Sequence, residues 1–117
     1  MYSCSIIIPT HNRPKLLQRS IKYYEENLFN NFKIIIVDSS KKKFEYKFKK
    51  NFFYKFLKNN SFSSKIFVAI KDSKTKFVIL CNDDDFISFS GLKKGINFLN
   101  KNKKYSSYQG EFISFRK

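Results

Sequence analysis

At 117 residues the chain has the length of one domain, enough to bury a real core, and we expect a single unit over residues 1–117. Its 42% hydrophobic content, with 15 Phe and 7 Tyr, excludes a disordered chain despite a net charge of +15. No apolar run is long enough to span a bilayer and no signal peptide opens the chain, so a soluble or peripheral cytoplasmic protein is expected.

The first predicted element is a buried strand over Ser3 to Ile8, three consecutive Ile closed by Pro9, which cannot donate to a ladder. Thr10, His11, Asn12 and Arg13 make a loop, and Pro14 opens a helix whose apolar face is Leu17, Ile21, Tyr24 and Leu28. Asn30 and Asn31 break it. Phe32 to Val37 is a second buried strand ending on Asp38, and strand, helix, strand implies a right-handed parallel crossover. Between Ser39 and Lys50, the run Lys41 to Lys43 reads as a solvated loop, and Phe44, Tyr46 and Phe48 alternate like a short edge strand or an amphipathic flap. Asn51 to Leu57 is a third strand. Phe62, Ile66, Ala69 and Ile70 trace a short helix capped by Ser61 or Ser63. The chain then enters Phe77 to Cys81, whose apolar run suggests a central strand buried on both faces. A further helix, capped by Ser88 or Ser90, carries the stripe Leu92, Ile96 and Leu99, weakened by Gly91 and Gly95. Tyr108 to Phe115 would be a last strand. The alternation of types is that of an α/β, doubly wound, mostly parallel sheet.

Only three of the 24 basic residues are Arg, leaving 21 Lys, and Lys, Asn, Phe and Ile make up about half the chain. Specific nucleic-acid contacts favour the bidentate fork of Arg, so we discount a nucleic-acid partner, although the charge can still attract nucleotide phosphates or an anionic membrane. Cys4 and Cys81 fall near opposite ends of two strands. If those strands are parallel neighbours the thiols cannot bridge, and both are expected reduced.

Three of the five Asp stand side by side as Asp83, Asp84 and Asp85, directly after an apolar strand. Adjacent carboxylates repel, so something positive should stand there; the plainer reading is a solvated turn before the next helix. In an open parallel sheet the loops after each strand lie at one edge, where ligands bind. Thr10 with His11, Asp38, and Asn82 to Asp85 therefore converge if the first strand lies between the second and the acidic one.

In order and spacing the segments SIIIPTHNRP, IIIVDSS and FVILCNDDDF resemble the donor-binding half of family-2 glycosyltransferases with the GT-A fold. The resemblance implies transfer of a sugar from a nucleotide diphosphate sugar to an acceptor that the sequence does not identify. It implies that Thr10, His11 and Asp38 hold base and ribose, and that Asp83, Asp84 and Asp85 hold Mn²⁺ or Mg²⁺, with Asp83 also at the ribose. It places Lys65 where the family often carries a basic residue in the helix before the acidic strand, within reach of a donor phosphate. For each of these the simpler alternative is a loop, cap or surface residue; Arg13 could contact phosphate, with a surface residue at the helix start as the plainer reading. The family's catalytic Asp or Glu lies in an acceptor-side segment beyond Lys117, so the chain reads as a truncated first half, or as a binding relic without turnover. A nucleotidyltransferase or P-loop enzyme would need glycines after the first strand, and Pro9 to Arg13 has none.

Overall fold

The computed structural model describes residues 2–110 and 113–114, which separate into two compact units, Met1–Phe86 and Ile87–Lys117. The first unit is built on a four-stranded sheet, β1 (Cys4–Thr10), β2 (Lys33–Asp38), β3 (Phe52–Phe56) and β4 (Phe77–Leu80), in the order β3-β2-β1-β4. Every neighbouring pair is parallel. The first strand does lie between the second and the acidic one.

Side chains alternate across the sheet. Ile7, Ile35 and Val37 point to one face and pack against Ala69 of α2 (Phe62–Ser73), with Leu57 and Ile66 closing the cluster. Ile6, Ile8, Ile34 and Ile36 point to the other face and are fully buried, as are Leu17, Ile21 and Tyr24 of α1 (Pro14–Glu26). The Tyr24 hydroxyl lies 3.3 Å from Cys81 Sγ, fixing α1 over the β4 end of that face. Pro14 starts α1 without needing a donor, and Ser61 caps α2 by accepting from the Ser64 amide, choosing between the two candidate serines.

Four expectations are corrected. The α1 stripe stops at Tyr24: Leu28 adopts a left-handed φ of 67° and is exposed, and the turn it starts buries Phe29 in its place. Among the described residues the acidic strand β4 is an edge strand, not a central one, and Val78 and Leu80 are half exposed. The buried side of α2 carries Lys65, Ala69 and Ser73, while Phe62 and Ile70 face outward. Tyr108 to Gly110, Ile113 and Ser114 are not strand, and the rest of that predicted element lies outside the described residues.

Residues 41–49 form no strand either. Phe44, Tyr46 and Phe48 stack on one another and on Tyr54, so this stretch is the aromatic flap of the two readings. In the second unit, α3 (Phe89–Lys101) is capped by Ser88, which accepts from the Gly91 amide. Gly95 admits the Tyr108 ring, which would stand 2.7 Å from a β-carbon there, so the glycine that weakens the helix also makes room for the tail.

Candidate functional site

Parallel pairing brings the strand ends to one rim. Thr10 and Asp38 are direct register partners, and the Ser39 amide donates to the Thr10 carbonyl at 3.1 Å, prolonging the ladder by one bond. On the other side, Cys81 N donates to Ile7 O, which sends the acidic loop past the end of β1. The Thr10 hydroxyl donates to Asp83 Oδ2 at 2.8 Å, joining loops 73 positions apart. The sequence therefore brings Thr10, Asp38 and Asp83 to one place.

Beside this rim lies a cleft of about 460 Å³, walled by Thr10, Asn12, Arg13, Asp38, Lys41 to Lys43 and the Phe44 ring. Its four basic residues outnumber the two acids, Asp38 and Glu45. The Asp38 carboxylate is almost fully buried, accepting at Oδ1 from the Ser40 amide (2.9 Å) and Ser40 hydroxyl and at Oδ2 from the Tyr54 hydroxyl at 2.6 Å. A neutral donor at Tyr54 suits the ionised acid. Burial, and then this bond to Asp38, push the Tyr54 hydroxyl well above the ordinary tyrosine value. Tyr54 Oη also accepts from the Phe44 amide at 2.9 Å, so one hydroxyl ties the flap to Asp38.

His11 turns away from the cleft. Its Nδ1 lies 3.1 Å from the Ser39 carbonyl and its Nε2 3.1 Å from Asn12 Nδ2. Nδ1 therefore carries the proton and Nε2 accepts from the amide. Lys65 is buried behind the rim, where Nζ donates to Thr10 O and Ser39 Oγ, both at 3.0 Å. Desolvation lowers its pKa, against the attraction of Asp38 and Asp83. It pins the ends of β1 and β2 together and stands under the site as a buried cation.

The acidic loop is asymmetric. Asp83 is buried and is held by Thr10 and by Arg13, whose Nη1 approaches Oδ1 to 2.8 Å. Asp84 and Asp85 are exposed, with Asp84 Oδ2 3.6 Å from Arg13 Nη2. Among the described residues no group of three or more His, Cys, Asp or Glu is placed to share a metal ion. The positive charge that the triplet demands is supplied in part by Arg13, which also walls the cleft. The sequence offered Arg13 as a phosphate contact or, more plainly, as a surface residue at the helix start, and not as a partner of the acidic loop. The available signal was that it is one of three Arg among 24 basic residues. Ser40 binds Asp38 from two residues on, the local turn that an Asp at a strand end favours, whereas Tyr54 had no such signal, because it reaches Asp38 only when β2 and β3 pair.

A parallel sheet flanked by helices, whose strand-end loops gather a buried carboxylate, a cationic cleft and an acidic turn, defines an α/β protein with an open parallel sheet. The model of glycosyl transferase family 2 matches residues 5–114, and the chain belongs to that family. Its fold is the GT-A fold of S. aureus TarS. The structure of TarS residues 1–349 superposes with a TM-score of 0.68 at 24% identity, covering 88% of this chain and 33% of that one. A second TarS structure gives a TM-score of 0.65 at 24% identity, covering 86% of this chain and 20% of the other. The chain thus spans about a third or less of these neighbours. No curated protein matches it significantly.

Proposed function

We propose that this chain is the donor-binding part of a glycosyltransferase, taking a nucleotide diphosphate sugar in the cleft beside Thr10 and Asp38. The observation that carries this reading is the meeting of three loops at one rim, through the Thr10–Asp38 register and the Thr10–Asp83 hydrogen bond. Asp38 keeps one lone pair of Oδ2 for a nucleobase N–H, and Arg13 with Lys41 to Lys43 offers charge to a pyrophosphate. Mg²⁺ and Mn²⁺ sites in such enzymes are completed by substrate phosphates and need only one or two carboxylates, a demand that the exposed Asp84 and Asp85 fit. When bound, the ion offsets the charge of the departing nucleotide diphosphate. Asp83 holds the loop against Thr10 and Arg13, and Lys65 keeps the rim closed beneath it.

Calorimetric titration with uridine, guanosine and thymidine diphosphate sugars, with and without Mn²⁺, tests the proposal. One of them should bind more tightly with the metal, and Asp84→Asn with Asp85→Asn should abolish that gain while leaving the fold intact. Nucleotide binding indifferent to both metal and substitution would overturn it. A binding domain without turnover is the second reading, favoured by the commitment of Asp83 to Thr10 and Arg13. Release of free nucleotide from the bound donor separates the two. A basic nucleic-acid module predicts instead binding that falls steeply with salt and ignores the acidic loop.

A further inference from the structure

Helix α2 packs Ile66 and Ala69 against the sheet yet leaves further apolar side chains on its outer side. Its sheet-facing side carries Lys65, Ala69 and Ser73, all at most 5% exposed, whereas its outer side presents Phe67 at 67% and Ile70 at 49% exposure. Three positions apart, these two form one ridge on the helix. The apolar surface continues on both sides of α2. Val78 and Leu80 are register partners of Ser5 and Ile7, and Phe53 pairs with Ile35, so all three lie on the face that α2 covers. Each is more than two-fifths exposed. Leu28 and Phe86 are exposed beside α1, but Phe67, Ile70, Val78, Leu80 and Phe53 fall together on the α2 side of the sheet. A patch of that kind marks an interaction surface.

Its rim is cationic. Lys71 and Lys74 flank Ile70 on the outer side of α2, Lys76 precedes β4, and Lys33, Lys55 and Lys74 ring a hollow of about 310 Å³ around Phe53. Asp72, the acid of that hollow, pairs with Lys55 so that the two offset, and Lys33 donates to the Asp72 and Ser73 carbonyls, which leaves the net charge of the rim positive. A second copy of a chain with a net charge of +15 would press like charges together. Lysines are strongly hydrated point charges that suit a diffuse negative surface better than a patterned set of carboxylates. Exposed Phe and Ile side chains suit the boundary between headgroups and acyl chains.

We propose that the α2 face docks on an anionic lipid bilayer, with Phe67 and Ile70 entering the interface and Lys71, Lys74 and Lys76 facing the headgroups. Such docking is independent of the nucleotide cleft at the strand-end rim. The chain has no Trp, so Phe67→Trp gives a single reporter at the ridge. Phosphatidylcholine vesicles enriched in phosphatidylglycerol should sediment the protein and shift the emission of this variant to the blue, whereas pure phosphatidylcholine vesicles should do neither. Phe67→Ser with Ile70→Ser should weaken partition about tenfold or more, and each of Lys71→Gln and Lys74→Gln about fivefold. Circular dichroism of every variant should match the parent. Unshifted emission on anionic vesicles would overturn the proposal. So would sedimentation that survives Phe67→Ser with Ile70→Ser, which would mean that charge elsewhere suffices. A dimer in sedimentation velocity that these substitutions dissolve would assign the face to a second copy instead.

Discussion

Arg13 is half exposed, but the Asp83 carboxylate it holds is not. Removing the guanidinium strands a buried charge, although solvent at the exposed end moderates the penalty. Arg13→Ala should cost about 1–2 kcal/mol in denaturant titration, and Asp83→Asn in the same chain should return much of it, a coupling that a double-mutant cycle measures. Tyr54 predicts a pH dependence. Its folded-state pKa is raised from the ordinary value of 10.0, so its contribution is intact below that value and is lost as the pH climbs above it, where the unfolded chain releases the proton first. Stability should fall above about pH 10, and Tyr54→Phe should lose about 1.5–3 kcal/mol at neutral pH while flattening that alkaline decline. The two thiols should be inert. Burial pushes both Cys4 and Cys81 up to about 11, so neither should react with iodoacetamide at neutral pH until the chain unfolds. Rapid alkylation of the native protein would contradict this burial.

Among the elements, periodicity located α1 and α2 but not which residues at their ends enter the core. Leu28 continues the α1 spacing on paper, yet a left-handed residue ends the helix and Phe29 fills the space. Phe29→Ala should therefore cost about 3–5 kcal/mol and Leu28→Ala close to nothing, readable from two thermal melts. Ser61 accepts from the Ser64 amide at 3.2 Å, so Ser61→Ala should cost about 1 kcal/mol where Ser63→Ala does not. The flap needed tertiary contact to be read at all. Its Phe44, Tyr46 and Phe48 have the alternation of a strand, but their rings stack on one another, and Phe44 hands its amide proton to the Tyr54 hydroxyl instead of to a ladder.

For the molecule as a whole, +15 is an electrostatic load that folding concentrates. Melting temperature should rise with ionic strength, and phosphate or sulfate should raise it more than chloride if the cleft of Arg13 and Lys41 to Lys43 holds an anion. An unchanged melt between low and high salt would show that the charges are already compensated. By itself the sequence determined the α/β class, the three strands that lead to Thr10, Asp38 and the acidic loop, and the common edge of those loops, although it closed the first strand at Pro9 where β1 runs on to Thr10. Long Ile and Val runs and breaker residues are local signals, and parallel pairing leaves little choice of edge. Only the tertiary structure decided that β4 is an edge strand among the described residues, that Asp38 is held by Tyr54, that Lys65 lies beneath the rim, and that Arg13 bridges Asp83 and Asp84. Each of these depends on which side chains from distant segments share a small volume, and spacing along the chain carries no record of that.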